Sequence, residues 1–473
     1  MLFCSWQFLV FFVAVFAVYW AVPWARVRVW LLLAASFYFY ACWNPWLACL
    51  IFASTILDYC LARGIEALRA PRARKCLVAV SVTANLGMLC FFKYTNFFLT
   101  SLEEVLNRCG ASASFPLLSI LAPIGISFYT FEAINYVVDV YRGRVRAEHS
   151  LANFLLFILF FPHLVAGPIV RARDFLPQIR RRKRWDWLRV QLGVRFFLMG
   201  LFKKWVVADR MAVFVNPVFG HPGQYNAAAI WTGVLAYALQ IYGDFSGYTD
   251  MAIGCAHLLG YRLAKNFDMP YLSANFSEFW RRWHISLSSW LRDYLFIPLG
   301  GSRGGRWKTA RNLLITMTLG GLWHGASWTF VVWGILHGLL LILHRAFQAF
   351  AEARPRLQRL LQSVPGTAGR VLVTFLSVSL CWIFFRAQSF RDALSMFRGL
   401  AREAGEGPPM SRWCVVATAL ILLACYVVGR RNLWLKAADR LPAPVLGAGY
   451  ALLLALCLVL APVTEKSFIY FQF

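Results

Sequence analysis

The chain has 473 residues, 60% of them hydrophobic and 17% aromatic, with only 15% charged. A soluble core of this length does not need so much apolar surface, so the balance is that of a polytopic membrane protein. The formal charge of +27 invites a nucleic-acid partner, but its placement argues against one. The basic residues gather between apolar runs, at 63–75, 142–146, 171–189 and 430–440, where the positive-inside rule and anionic headgroups put them.

Apolar runs recur from Leu2–Val22 through Trp46–Leu61, Leu77–Leu99, Thr329–Leu343 and Val371–Phe385 to Val445–Ala461. Several fall short of the roughly 20 residues that cross the hydrocarbon, so some tilt, extend through polar positions or stay interfacial. The expectation is an all-α polytopic membrane protein of roughly ten to thirteen membrane-embedded helices, forming one domain over 1–473. The first run lacks a basic stretch before it and reads as a retained helix rather than a signal peptide.

Parity along the chain is consistent at first. If 63–75 is cytoplasmic, Leu77–Leu99 runs outward, and Leu117–Tyr141 returns to the basic RGRVR at 142–146. Segment 151–170, LANFLLFILFFPHLVAGPIV, then lies between two basic loops that cannot share a side if it spans once. Pro162 and the Gly167-Pro168 pair break its helix. It reads as re-entrant, and broken backbone at membrane depth survives only where protein or a water-filled cavity covers it. Parity also puts the loop Arg386–Arg412, with its five arginines, outside.

The zone Leu259–Arg311 holds no spanning run. Within it, apolar residues at 276, 279, 280, 283, 287, 290, 291 and 294 form one helical stripe. The spacing predicts a single amphipathic helix at the interface, opened by an Asn275–Glu278 capping box and closed by LGGSRGG. His284 shares its buried face. Further on, GGLWHGASW (320–328) sets His324 between glycines in a very apolar region. The missing side chains let another backbone or a narrow substrate approach. Ionisable groups at membrane depth are costly and usually functional.

Of eight histidines, His149 and His221 read as solvated, and His257, His337 and His344 as structural. His163 at the break is open between the two readings, and so is His284. His324 is the strongest functional candidate by position. Asp244 and Asp250 are acids in an apolar stretch, either paired with arginines or catalytic. The twelve cysteines contain no C-x-x-C pair and read as small buried hydrophobes. No metal site and no nucleotide, serine-hydrolase or zincin motif is present.

Five blocks carry a resemblance: PIGISFYTFEAINYVVDVYRG (123–143), FFPHLVAGPIVR (160–171), QIYGDFSGYTDMAIG (240–254), NFSEFWRRWHISLSSWLRDYLFIPLGG (275–301) and GGLWHGASWTFVVWGILHG (320–338). In this order they resemble the membrane-bound O-acyltransferase family, in the branch that acetylates alginate and related bacterial polysaccharides. The resemblance implies helices around a central funnel, in a multi-pass protein of the bacterial inner membrane. It implies acetyl-CoA as donor substrate, with no permanently bound cofactor, and a periplasmic SGNH-type partner that completes transfer to polymer. It also implies that His324 is catalytic and that His284 is the second characteristic polar residue.

A neutral imidazole can accept the proton of a hydroxyl as that oxygen attacks a thioester. Two rivals remain at the level of sequence. A polytopic exporter of sugar, lipid or polymer also uses broken helices, but favours inverted repeats, and none is visible. A polytopic glycosyltransferase favours acidic clusters for a metal, and the 21 acids are scattered.

Overall fold

The computed structural model describes residues 1–121, 123–164, 167–409, 411–430 and 440–462. The basic stretch at 430–440 therefore lies almost entirely outside the described residues. Those described are helical, with no strand among them and one isolated bridge between Tyr225 and Glu406. Local sequence starts many of the helices. Ser5, Asn44, Ser150, Ser363 and Ser389 each turn a side-chain oxygen to a backbone N–H of the first turn, satisfying donors that the helix leaves open.

The chain divides into two compact units. The first comprises Met1–Val194 and Ala252–Ala264. It begins with α1 (Trp6–Ala21), α2 (Ala25–Ala41) and α3 (Pro45–Ala67). Then come α4 (Pro71–Leu89), a π turn at Cys90–Tyr94 and α5 (Thr95–Arg108), which together run as one apolar helix. Next are α6 (Ile126–Tyr141), α7 (Leu151–Leu159), α8 (Phe161–Leu164) and α9 (Ala172–Arg180). The helix of segment 151–170 is broken, as proline and glycine require, and the break falls at Phe160, just before Pro162. All eleven residues from Phe154 to Leu164 are buried, so the irregular backbone is covered by protein.

The second unit comprises Arg195–Met251 and Lys265–Phe473. Its elements are the end of α10 (Trp187–Phe202), a π turn at Lys203–Ala208, α11 (Asp209–Gly220), most of α12 (Ala227–Leu258), α13 (Phe276–Arg282), α14 (Ile285–Leu291) and α15 (Arg306–His324). They continue with α16 (Trp328–Glu352), α17 (Pro355–Gln362), α18 (Val364–Arg386), α19 (Phe390–Gly399), α20 (Arg412–Arg430) and the helix Ala443–Val459. Glycines bring α15 and α16 into backbone contact. A Cβ on Gly321 would lie 2.2 Å from the Phe330 carbonyl, and one on Gly334 would lie 2.3 Å from the Met317 carbonyl.

Among the described residues four helices are long and apolar enough to cross a membrane: Pro45–Ala67, Pro71–Arg108, Trp328–Glu352 and Val364–Arg386. Shorter apolar helices are Trp6–Ala21, Arg412–Ala424 and Ala443–Val459. Large apolar side chains such as Trp46, Phe98, Leu343 and Val373 stand exposed along the long helices, as suits a lipid-facing surface. Cys42, Cys49, Cys60 and Cys90 are also exposed, which corrects the expectation of burial. Facing lipid satisfies a small apolar side chain as well as a core does.

The stretch 275–294 also departs from expectation. Its apolar stripe is buried at Phe279, Trp280, Trp283, Leu287, Trp290 and Leu291, yet the helix is not single. It breaks between α13 and α14, where His284 takes the left-handed conformation at φ 43°. The capping box is present in modified form. Glu278 donates its backbone N–H to Asn275 Oδ1 at 2.8 Å, while the Glu278 carboxylate reaches the N–H of Ala274 rather than of Asn275. The closing glycines 300, 301, 304 and 305 all have positive φ, which ends the stretch as expected.

Candidate active site

His324 is the last residue of α15, and Gly325 follows it in extended backbone. Ser327 Oγ then accepts from the Thr329 N–H at 3.3 Å and starts α16. The imidazole thus sits at the corner between two tightly packed helices and is only 4% exposed. Its ring meets Trp323, Trp333 and Phe385 edge-on, at 4.9, 5.1 and 5.2 Å between centroids. The glycines do not leave open space beside it. A Cβ on Gly325 would lie 2.1 Å from the Phe330 ring and one on Gly320 3.2 Å from Leu291. Of the two visitors expected at these glycines, a neighbouring backbone is the one found, at Gly321.

His284 is fully buried. Its ring stands perpendicular to Phe245 at 4.6 Å and meets Trp323 at 6.1 Å. One indole, Trp323, therefore packs against both imidazoles that the sequence singles out. His284 belongs to the zone without a spanning run, and burial lowers its pKa to about 3, so the ring is neutral at physiological pH. The neutral ring of His284 and the buried ring of His324, both among aromatic side chains, can exchange hydrogen bonds and protons with a hydroxyl substrate in a place from which water is largely kept out.

Three other residues belong to this description and are not evident from sequence. Asn266 Oδ1 lies 3.2 Å from His284 Nδ1. Trp323 reads in sequence only as one more aromatic. His337, which the sequence marks as structural, lies with its ring 4.7 Å from that of Trp333, on which His324 also packs. It is fully buried, and neither of its ring nitrogens has a hydrogen-bond partner among the described residues. A buried imidazole left in that state is costly. The readable signal for it is the spacing on α16, since 333 and 337 fall on one helix face.

The remaining candidates lie apart from this cluster in role. In the first unit, His163 Nδ1 is 3.3 Å from Glu132 Oε1, and that oxygen also accepts the Val170 N–H at 2.8 Å. The pair is buried and ties α6 to the broken segment. Asp244 and Asp250 are paired, but with lysines rather than arginines. Lys204 reaches Asp209 and Asp244 at 2.9 and 2.8 Å, all three buried, and Lys203 reaches Asp250 at 2.6 Å. His149 is exposed beside Glu66, as a solvated residue is.

Comparison with known proteins decides the class. The model of the MBOAT family, membrane-bound O-acyltransferases, matches residues 141–381, which include Asn266, His284, His324 and His337. A Pseudomonas aeruginosa protein named "Probable alginate O-acetylase" is 42% identical over 85% of this chain and 75% of its own length. The chain belongs to the membrane-bound O-acyltransferase family. It is an acyltransferase, and the four long apolar helices agree with the family's membrane-bound character. A peptidoglycan O-acetyltransferase of Helicobacter pylori is 36% identical over 79% of this chain and 73% of its own. A teichoic acid D-alanyltransferase of Streptococcus thermophilus is 32% identical over 48% of this chain and 58% of its own.

Proposed function

We propose that this acyltransferase draws an acetyl group from cytoplasmic acetyl-CoA for O-acetylation of an extracytoplasmic, alginate-like polysaccharide. The protein would sit as a multi-pass component of the bacterial inner membrane. A periplasmic acetyltransferase of SGNH type, which the family resemblance implies, would complete transfer to the polymer. The choice of acetyl follows coverage. The relatives named for alginate and peptidoglycan acetylation match about four-fifths of the chain, whereas the D-alanyl relative matches about half.

The observation that carries the mechanism is that His284 and His324 both pack on the ring of Trp323. An acceptor hydroxyl oxygen attacks the thioester carbonyl carbon, and His324 takes the hydroxyl proton. The tetrahedral intermediate collapses with cleavage of the C–S bond, and the coenzyme A thiolate leaves and is protonated in turn. The thiolate is a good leaving group, so a positioned base suffices and transfer is direct, with no acyl-enzyme. His284 positions the reacting groups, and basic loops offer charge to the nucleotide phosphates.

Purified protein given acetyl-labelled acetyl-CoA and a soluble hydroxyl acceptor tests the reading. One coenzyme A thiol should appear for each labelled ester, and both should disappear in His324→Gln. Ester formation without thiol release, or no consumption of acetyl-CoA, would overturn it.

A further inference from the structure

We infer that Asn266 locks His284 in its Nδ1–H tautomer, so that His284 serves the reacting hydroxyl as a hydrogen-bond acceptor through Nε2. The inference deepens the proposed function, because it rests on His284 belonging to the active site. Asn266 is a positioning residue in this account.

The Asn266 side chain is buried, at 1% exposure, in the coil before α13. Its Oδ1 faces three groups: the Ser286 backbone nitrogen at 3.0 Å, Ser286 Oγ at 2.9 Å and His284 Nδ1 at 3.2 Å. Oxygen and nitrogen of an amide are easily interchanged in a structure, but here the backbone decides. A peptide N–H can only donate, so the amide atom facing it is the oxygen. An amide oxygen can only accept. The imidazole nitrogen that faces it must therefore carry hydrogen. Burial keeps the ring neutral, and a neutral imidazole has one N–H, which leaves the lone pair on Nε2.

The same residue explains the backbone. The Asn266 carbonyl accepts the Ile285 N–H at 2.9 Å, and its side chain accepts that of Ser286. Two of the open donors at the start of α14 are thus satisfied by one asparagine. That anchorage holds His284 at φ 43°, a conformation that a residue with a Cβ seldom adopts. Around the imidazole lie the rings of Phe245, Phe267 and Trp323. None of them titrates in the acid range, so a charge at position 266 would act on His284 directly.

The two histidines then divide the work. His284 stays neutral and orients the hydroxyl, and His324 receives the proton.

Histidine-selective ¹⁵N labelling of the full-length protein, with His284→Gln to identify the resonance, reads the tautomer directly. The expected result is Nδ1–H at His284, shifting toward Nε2–H in Asn266→Leu, which removes the acceptor. Asn266→Leu should also lose roughly 10- to 100-fold in kcat, the usual cost of losing the outer partner of a functional histidine, with KM for acetyl-CoA little changed. Asn266→Asp keeps an acceptor oxygen for all three donors and adds a negative charge. It should fold and retain the tautomer, and any acid limb of kcat that His284 contributes should move up by about one pH unit or more. An Nε2–H tautomer in the wild type, or no change in Asn266→Leu, would overturn the lock. The expected tautomer shift with wild-type turnover in both Asn266→Leu and His284→Gln would leave the lock standing and remove His284 from the active site.

Discussion

At His324 the choice of substitution matters, because the imidazole fills a space between Trp323, Trp333 and Phe385. Alanine there opens a cavity among three aromatic rings, so a dead His324→Ala enzyme would mix lost packing with lost chemistry. Glutamine keeps most of the volume and a polar end but has no basic nitrogen. His324→Gln should elute as a monodisperse protein, bind acetyl-CoA as the wild type does, and turn over roughly 10² to 10⁴ times more slowly. Near wild-type turnover would send the proton elsewhere. His284 answers to pH instead. Its folded pKa is lowered to about 3 by burial, so below the ordinary value near 6.5 the unfolded chain takes up a proton that the folded one refuses. Stability is therefore lost as pH falls through 6.5 toward 3, by up to about 1.4 kcal/mol per pH unit for this one group. Thermal unfolding in detergent should show wild-type Tm dropping more between pH 7 and pH 5 than that of His284→Gln. Equal drops would mean that the imidazole is not held neutral.

At the scale of elements, what was legible in the sequence is what local spacing controls. The stripe through Phe279, Trp283, Leu287 and Leu291 is buried as its period demands, and Asn275 caps the helix it precedes. The break at His284 was not legible, because its cause lies 18 residues away at Asn266. A left-handed histidine has no local signature. The glycines of 320–325 carried two readings in sequence, and only the partner helix chooses between them. Their role as a seam between α15 and α16 leads to a prediction. Gly321→Leu must displace the Phe330 carbonyl, which a Cβ would approach to 2.2 Å, and backbone cannot yield as a flexible side chain does. That variant should lose about 1–3 kcal/mol or more of stability, read as a fall in Tm. Gly369→Leu on α18 has open space at its Cβ and should stay near wild type. If Gly321→Leu were as stable as Gly369→Leu, the seam would not be a determinant of the fold.

For the whole molecule, sequence patterning conveys membrane residence and family more readily than it conveys topology. Hydropathy marks the four long helices because each carries a continuous apolar run. It treats the segment 151–170 ambiguously, because that run is divided at Phe160 into α7 and α8 and is too short on either side to span alone. Burial does not settle the path, since a covered break suits a re-entrant hairpin and an interrupted span alike. Charge does discriminate, because the flanks on both sides are basic and the two cannot both be cytoplasmic around a single crossing. Arg146 and Arg173 are exposed on those flanks, so a cysteine at either should leave the packing intact. The seven exposed cysteines among the described residues, Cys42, Cys49, Cys60, Cys76, Cys90, Cys109 and Cys414, are first replaced by alanine to silence background. In inverted and right-side-out vesicles, an impermeant maleimide should then label Arg146→Cys and Arg173→Cys from the cytoplasmic face only. Labelling of one from each face would make 151–170 an ordinary crossing and reverse the parity of every later loop. In that case the five-arginine loop Arg386–Arg412, which the present parity places outside, would move to the cytoplasm.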